Sequence, residues 1–536
     1  MARDVPIPLN AKAALSGPDG ADWQRAITKE LDQMEKFDVW EIVPRRSAYK
    51  RPISMTWAFK CKSNKDGTIE RFKARLCARG FLQRFGIDYR DTYAPVARLI
   101  TIRILIALAA ISRYSIKHVD FESAFLQGAL SETVFVEIPI GMTAPPGSVI
   151  KLLKSIYGLK QAGRVWFDLL IAGLMDIGFT QSHSDPCFVY MKGNKWIIYI
   201  SIWVDDCIVV YSDLAQWERV EAAISRRFRV GSTTDFSWCL GMAVEHLESG
   251  SIRLHQQLYV EILIDTFKME KAHPISVPMA PTTILCKAGV HGQDIPCEYV
   301  GQEIHALYRS LLGALLHLAN FTRPDIAYAV GVCAKYTNYP RMVHWKALKG
   351  ILRYLKGTKE KGLIYGVNQN QNKVAYSYVG TPKPAVITCV DANWARDVDD
   401  RKSTSAFVFL FWGCVVSWYC RKQSVVALST AEAEYYAASE ATKEAIWVSR
   451  MLAEIGIVTG CVPLLDDSQA CIRMVERKTT SNKTKHVDIK AHFIRHHHAK
   501  GDIRMVNIPT DDQLADVLTK ALPFAKFGGF RDALVA

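Results

Sequence analysis

The stretch WIIYISIWVDDCIVVY, Trp196 to Tyr211, decides the fold. Ile197, Ile198, Tyr199, Ile200, Ile202 and Val204 precede an acidic pair, and Ile208, Val209 and Val210 follow it. This β-branched and aromatic content predicts two strands joined by a short turn that carries Asp205 and Asp206. The chain has other such pairs, Asp399-Asp400, Asp466-Asp467 and Asp511-Asp512, but only this one has apolar residues packed on both sides. Adjacent carboxylates are costly there, because burial disfavours charge and the two repel each other. A bound divalent cation offsets both costs. A solvated hairpin turn is the alternative, and the pair alone leaves the two readings open.

With 536 residues the chain is too long for one compact core, and three or four domains are expected. Hydrophobic residues make up 49% and charged residues 22%, the balance of folded soluble protein. No uninterrupted 18-residue apolar run marks a membrane helix, and the first twenty residues lack the apolar core of a signal peptide. The 13 cysteines are scattered without a CxxC pair, which fits reduced intracellular thiols and disfavours zinc knuckles or a disulfide framework. A net charge of +14 suits a polyanionic partner.

Outward from the opening stretch, the chain reads as alternating elements. Residues 1–20 are expected to be a loosely ordered leader. Trp23, Ile27, Leu31 and Met34 have helical spacing. Residues 55–98 read as a hairpin about Asn64-Lys65-Asp66-Gly67. Its polar positions are mostly basic (Lys60, Lys62, Arg71, Lys73, Arg75, Arg79, Arg84), and only Asp66 and Glu70 oppose them, so the flap suits phosphate. A helix (100–111), a strand (115–121) ending near Asp120, a strand at 149–154 and an amphipathic helix carrying Gln161 and Arg164 precede the opening stretch. A helix (215–228) and strands near 240–245 and 251–254 follow it. Residues 271–305, rich in Pro, Gly and polar residues, read as a linker, and three packed helices occupy 306–356. From Ala385 the pattern becomes strands, the last of them SVVALST, then a long helix from Ala431 and a C-terminal helix from Asp511.

Two acidic sets stand out. Asp120, Asp205 and Asp206 meet if their strands are neighbours in one sheet. With the basic flap they would form a site for two divalent cations and a triphosphate, and phosphoryl transfer needs little beyond metals, positioning and positive charge. The absence of a GxxxxGK[ST] loop disfavours a P-loop nucleotidase. Asp391, Glu432, Asp467 and Asp516 form the second set, at element ends separated by long gaps. Together they suit a two-metal phosphodiester site, although each taken singly reads better as a helix cap or a surface residue.

Collinear blocks then identify a family. They include Arg71-Phe72-Lys73-Ala74-Arg75-Leu76, Gly86-Ile87-Asp88-Tyr89, Ala124-Phe125-Leu126-Gln127-Gly128, Tyr157-Gly158-Leu159-Lys160-Gln161 and Val204-Asp205-Asp206. Further along stand Thr322-Arg323-Pro324-Asp325-Ile326, Asp399-Asp400-Arg401-Lys402-Ser403-Thr404-Ser405, Ala431-Glu432-Ala433-Glu434-Tyr435, Thr484-Lys485-His486-Val487-Asp488-Ile489 and Ala515-Asp516 with Thr519-Lys520. From about Trp23 to Phe527 the chain resembles the reverse transcriptase and ribonuclease H region of copia-type LTR retrotransposon polyproteins.

The resemblance implies an α/β (α+β) multidomain fold. Residues 1–20 are a leader, 21–270 the fingers and palm of a right-hand polymerase, 271–305 a linker, and 306–380 a helical thumb/connection. A ribonuclease H-like domain at 381–527 and a tail at 528–536 complete it. It implies that Asp120, Asp205 and Asp206 hold the polymerase metals and that Asp391, Glu432, Asp467 and Asp516 hold those of the ribonuclease. Glu434 rivals Glu432, and Asp466 rivals Asp467. Phe125 is implied as the steric gate against a ribose 2′-hydroxyl, Lys73 and Arg75 as the triphosphate grip, and Gln161 as a nucleotide- and template-positioning residue. The implied cofactor is Mg²⁺, two per site, with Mn²⁺ as an alternative. The implied partners are an RNA template, a DNA primer, an RNA–DNA hybrid and deoxynucleoside triphosphates, without a membrane and inside the cell, in cytoplasm or nucleus. Trp203, Glu122 and Ala406 depart from the usual Tyr, Lys and Gly, and no His precedes Asp516 in its loop. With no protease, integrase or gag-like segment before residue 1, the chain reads as the C-terminal part of a polyprotein, a truncated insertion or a derived gene. The alternative function is a catalytically silent remnant or a domesticated nucleic-acid-binding protein, and the intact carboxylates favour activity.

Overall fold

The structure, a computed structural model, describes residues 6–63, 69–287, 299–366, 373–477 and 488–536. Outside them lie the expected turn at 64–67, the middle of the linker, the start of the polar loop after 366, and residues 484–487 of one family block. The chain forms two compact units. Unit 1 is Met1–Ala97, Lys117–Gln181 and Pro186–Thr234; unit 2 is Arg98–Ile116, Ser182–Asp185 and Asp235–Ala536.

Unit 1 begins with α1 (Ala11–Ser16), not the loose leader expected, because Asn10 caps it through Ala13 N at 2.9 Å and Ala11 and Ala14 are buried. In α2 (Gly20–Lys36) the spacing of Trp23, Ile27 and Met34 buries one face. Three strands, β1 (Trp40–Pro44), β5 (Ala129–Val136) and β6 (Ser148–Lys154), form one sheet in the order β1-β6-β5. The basic flap is β2 (Met55–Ser63) against β3 (Ile69–Ala78), antiparallel with Trp57 opposite Leu76. Alternation along β3 buries Ala74, Leu76 and Ala78 and leaves Lys73 and Arg75 on the other face. Trp23 of α2 meets Phe59 and Phe72 edge-on at 5.1 and 4.6 Å, which seats α2 on the flap.

The largest sheet of unit 1 comprises β4 (Ser115–Phe121), β7 (Thr180–Gln181), β8 (Phe188–Lys192), β9 (Ile197–Trp203), β10 (Asp206–Tyr211) and β11 (Val230–Asp235). Its order is β11-β4-β10-β9-β8-β7, so β4 and β10 are neighbours. Helices α4 (Ala162–Ile177) and α5 (Leu214–Arg227) bury Trp166, Leu170, Trp217 and Ile224.

Unit 2 takes in α3 (Leu99–Ser112), which is buried almost all round, as its unbroken apolar run requires. Its one charge, Arg103, donates to the Asn320 and Phe321 carbonyls at 2.6 and 2.9 Å and lies 4.0 Å from the Trp418 ring. Those carbonyls end α7 (Gln302–Phe321), so the guanidinium satisfies groups that the helix itself leaves without partners. The strands β12 (Trp238–Cys239), β13 (Met242–His246), β14 (Ile252–His255) and β15 (Leu363–Tyr365) form a second sheet. With it go α6 (Gln257–Thr266), absent from the sequence reading, and α8 (Ala327–Ala334), α9 (Met342–Lys356) and α10 (Lys373–Ser377).

A buried ion pair locks these helices. Arg323 forks onto Asp325 at 2.9 and 2.7 Å, Tyr354 donates to the same carboxylate at 2.6 Å, and Arg323 also reaches the Thr358 carbonyl at 2.7 Å. Asp325→Ala strands the guanidinium in the interior. It is expected to destabilise unit 2 by about 3–5 kcal/mol, read as an earlier urea transition.

The last sheet runs β18-β17-β16-β19-β20. Its strands are β16 (Val386–Asn393), β17 (Thr404–Phe411), β18 (Cys414–Lys422), β19 (Val462–Asp466) and β20 (Ile503–Asn507). Pairs β16–β17 and β17–β18 are antiparallel, while β16–β19 and β19–β20 are parallel. The long α11 (Thr430–Glu454) follows β18, and α12 (Gln469–Glu476) and α13 (Asp488–Lys500) link β19 to β20. This sheet mixes parallel and antiparallel pairs, and both units have the mixed α/β content anticipated.

Three further details differ from the sequence reading. Residues 424–429 form no strand. Asp516 lies in a 3-10 turn (Leu514–Leu518) rather than an α-helix. The expected tail is largely α14 (Phe524–Leu534): Leu534 and Val535 are fully buried, and Ala536 exchanges backbone hydrogen bonds with Gly362. No described helix is long and apolar enough to cross a membrane. None of the described cysteines is in a disulfide bond.

Candidate active sites

In unit 1 the charged residues converge on one cavity of about 690 Å³. Asp120 stands at the end of β4, Asp205 in the β9–β10 turn and Asp206 at the start of β10. Phe121 N donates to Asp205 O at 3.1 Å, which ties the strand end to the turn and brings all three carboxylates to the cavity. The turn is tight: Val204 has φ of 59°, a strained left-handed conformation for a β-branched residue. Trp166 holds it there by donating Nε1–H to Val204 O at 2.6 Å.

The electrostatics are those of crowded acids. Burial raises the Asp120 carboxyl above its ordinary value, and Asp205 and Asp206 push it further, against His118 and Lys73. Burial also raises Asp205, while Arg75 and Lys73 are among the influences that pull it back. His118, two residues before Asp120 on β4, lies 3.0 Å from Asp206 Oδ1, and that hydrogen bond raises the imidazole. His118 was not legible as a site residue, since only the pairing of β4 with β10 brings it to Asp206.

The opposite wall carries Lys73 and Arg75. The Arg75 guanidinium lies 4.8 Å from the Tyr157 ring, and its Nε is buried without a hydrogen-bond partner among the described residues. Phe125 sits in a 3-10 turn (Ala124–Gln127), its ring 5.2 Å from that of Tyr157. Tyr157 lines the cavity and Phe125 does not. Gln161 also stays off the cavity wall. Gln83 donates to its amide oxygen at 2.9 Å and its nitrogen donates to Asp88 O at 2.9 Å, so it binds the 83–88 loop to the start of α4. Glu122, the charge reversal, accepts from Gln33 of α2 at 2.9 Å and lies 3.8 Å from Lys36.

In unit 2 the acids meet at the end of β16. Ligand atoms of Asp391, Glu434 and Asp467 lie within 4.8 Å of one another, the one such group among the described residues. Glu434 replaces Glu432 in this cluster. Ser429 caps α11 by accepting from Glu432 N at 3.2 Å, and the Glu432 carboxylate accepts Leu428 N–H at 2.8 Å, so Glu432 closes the helix end. Glu434, two residues on, points the other way, and its Oε2 is buried without a hydrogen-bond partner among the described residues.

Burial and the nearby Asp516 push the Asp391 carboxyl up to about 7. Glu434 is raised well above its ordinary value by burial and by Asp391, Asp466 and Asp467. A cluster of this kind, with an unpartnered carboxylate oxygen inside it, fits a divalent cation. Asp516 is fully buried and paired to Lys520 at 2.6 Å and Lys526 at 3.2 Å, outside the close triad. Asp466 turns inward, is pushed up to about 7 by burial, and accepts Ser468 N–H at 2.7 Å. Asp467 is the member of that pair that joins the cluster.

Comparison with known proteins supplies the context. A family model described as reverse transcriptase (RNA-dependent DNA polymerase) matches residues 37–281. The retrovirus-related Pol polyprotein from transposon TNT 1-94 of Nicotiana tabacum is 34% identical over 526 residues, covering 97% of this chain and 38% of that protein. The corresponding polyprotein from transposon RE2 of Arabidopsis thaliana is 33% identical over 511 residues, covering 95% of this chain and 33% of that protein. The chain thus spans between a third and two fifths of these curated relatives. A solved foamy viral protease-reverse transcriptase in complex with dsDNA is 10% identical, covering 95% of this chain and 88% of that one at a TM-score of 0.49.

Proposed function

Because this chain belongs to the reverse transcriptase family of copia-type transposon Pol polyproteins, we propose that it copies RNA into DNA and cleaves the RNA of the resulting hybrid. The observation that carries the reading is the pairing of two strand-end carboxylate clusters, each in its own unit, one of them facing a wall of Lys73 and Arg75. We assign residues 21–270 to fingers and palm, 271–305 to the linker, 306–380 to the thumb/connection and 381–527 to the ribonuclease.

Asp120, Asp205 and Asp206 would hold Mg²⁺, or Mn²⁺ as the alternative, and Asp391, Glu434 and Asp467 would hold it in the ribonuclease, with Asp516 nearby. Such ions, two per site, supply Lewis-acid charge that favours the attacking oxygen and the departing one. The residues of the chain do the rest. Lys73 and Arg75 bind the triphosphate and neutralise its charge, a large part of what phosphoryl transfer requires. Phe125 braces Tyr157, whose ring lines the cavity, and through it would limit the space for a ribose 2′-hydroxyl. Gln161 fixes the loop 83–88 beside the template path. The DNA primer, the RNA template and the hybrid follow as partners, and the basic balance of the chain suits their backbones.

Separation of function tests the reading. In one reaction with purified protein and Mg²⁺, Asp467→Asn is expected to abolish loss of RNA from a hybrid and to leave DNA synthesis within about twofold, since its carboxylate serves only one cluster. Loss of both activities together would contradict two independent sites.

A further inference from the structure

The outer edge of β3 is held from outside its own sheet. One edge of the strand pairs with β2. On the other edge, Ala78 N donates to Tyr157 O at 2.8 Å and Leu76 N donates to Glu30 Oε1 at 3.2 Å. Residues two apart on a strand direct their N–H groups to the same side, so these two bonds close one edge. Arg75 immediately precedes the fastened Leu76, and Lys73 lies two residues before Arg75, both lining the cavity.

Glu30 comes from α2, on the helical face it shares with Ala26 and Gln33, and all three line the same cavity. Gln33 reaches the opposite wall, donating to Glu122 two residues past Asp120. One helix therefore fastens both the cationic wall and the carboxylate wall. An acid in a cavity built for triphosphate works against the ligand's charge, so its presence needs a compensating role. Burial raises the Glu30 carboxyl, and the Leu76 N–H, Lys73 and Arg75 pull it back, in that order.

We propose that Glu30 is a positioning residue for nucleotide binding: as acceptor of Leu76 N–H it fixes β3 so that Lys73 and Arg75 face the incoming triphosphate. The inference rests on the polymerase reading and deepens it. What matters is the acceptor oxygen and not the charge, which Glu30→Gln separates from Glu30→Ala. Losing the acceptor leaves a strand N–H unpaired, and the KM for deoxynucleoside triphosphate is expected to rise about 10-fold or more with kcat within about threefold. Glu30→Gln keeps an oxygen in place and is expected within about threefold of wild type in both.

Inorganic tripolyphosphate, titrated calorimetrically into the same full-length proteins, gives a second readout that needs no DNA synthesis. Wild type and Glu30→Gln are expected to bind it alike, and Glu30→Ala about 10-fold more weakly. Should Glu30→Ala not fold, Glu30→Met, which fills the volume without an acceptor, takes its place. Equal binding by wild type and Glu30→Ala overturns the proposal. So does a Glu30→Gln as weak as Glu30→Ala, or a wild type that binds no tripolyphosphate. A wild type that binds tripolyphosphate but extends no primer contradicts the polymerase reading, and the comparison of variants still decides the role of Glu30.

Discussion

Glu434→Gln is expected to abolish cleavage of RNA in an RNA–DNA hybrid, by about 10³-fold or more, because it removes charge from the close triad with Asp391 and Asp467. Glu432→Gln is expected to leave the rate within about threefold. Its carboxylate answers Leu428 N–H at the start of α11, and an amide oxygen accepts the same bond. The cost there is at most that of a weakened cap, about 1 kcal/mol of stability. Single-turnover cleavage of a labelled hybrid by both variants separates the two acids. Equal losses would place both in the site, and loss in Glu432→Gln alone would reverse the assignment.

Asp205→Asn is expected to cut RNA-templated DNA synthesis by about 10³-fold or more while leaving hybrid cleavage intact. Asp205 occupies the strained turn after Val204, tied to β4 through Phe121 N and facing Lys73 and Arg75 across the cavity. An asparagine fits that volume but withdraws one charge from the centre of the cluster. Primer extension at saturating nucleotide measures the change, with RNA loss from a hybrid in the same preparation as the control for folding. A variant as active as wild type would remove Asp205 from the catalytic set.

The β9–β10 hairpin was legible because apolar residues flank its acids on both sides, a local pattern that survives folding. Its partner Asp120 was legible as a strand end, and the pairing of β4 with β10 turned adjacency in principle into a shared cavity. The choice between Glu432 and Glu434 was also written locally: Ser429 and Glu432, three apart at a helix start, are a capping signature, which frees Glu434 for other work. Gln161 is different. The groups that occupy its amide, Gln83 and Asp88, lie more than seventy residues away, and no local pattern announces them.

The same contrast explains the secondary-structure differences. Val425, Val426 and Leu428 read as a strand by propensity, yet they are 40, 48 and 69% exposed and pair with nothing in the sheet. The α14 segment contains Gly528 and Gly529, poor helix formers that hide a helix from the sequence. Its stability comes from packing instead, with Phe527 edge-on to Tyr354 at 5.7 Å and Leu534 buried. Trp203 keeps aromatic bulk directly across from Asp206 in the hairpin register, so the departure from tyrosine leaves the turn formed.

The most direct measurement is primer extension by the purified full-length chain on an RNA template with a DNA primer, deoxynucleoside triphosphates and Mg²⁺. The account predicts template-length DNA that disappears on chelation of the metal and returns when Mg²⁺ is restored. No DNA product from a folded protein, under conditions where the hybrid RNA is still cleaved, would contradict it and leave the unit 1 cavity as the relic of a polymerase site.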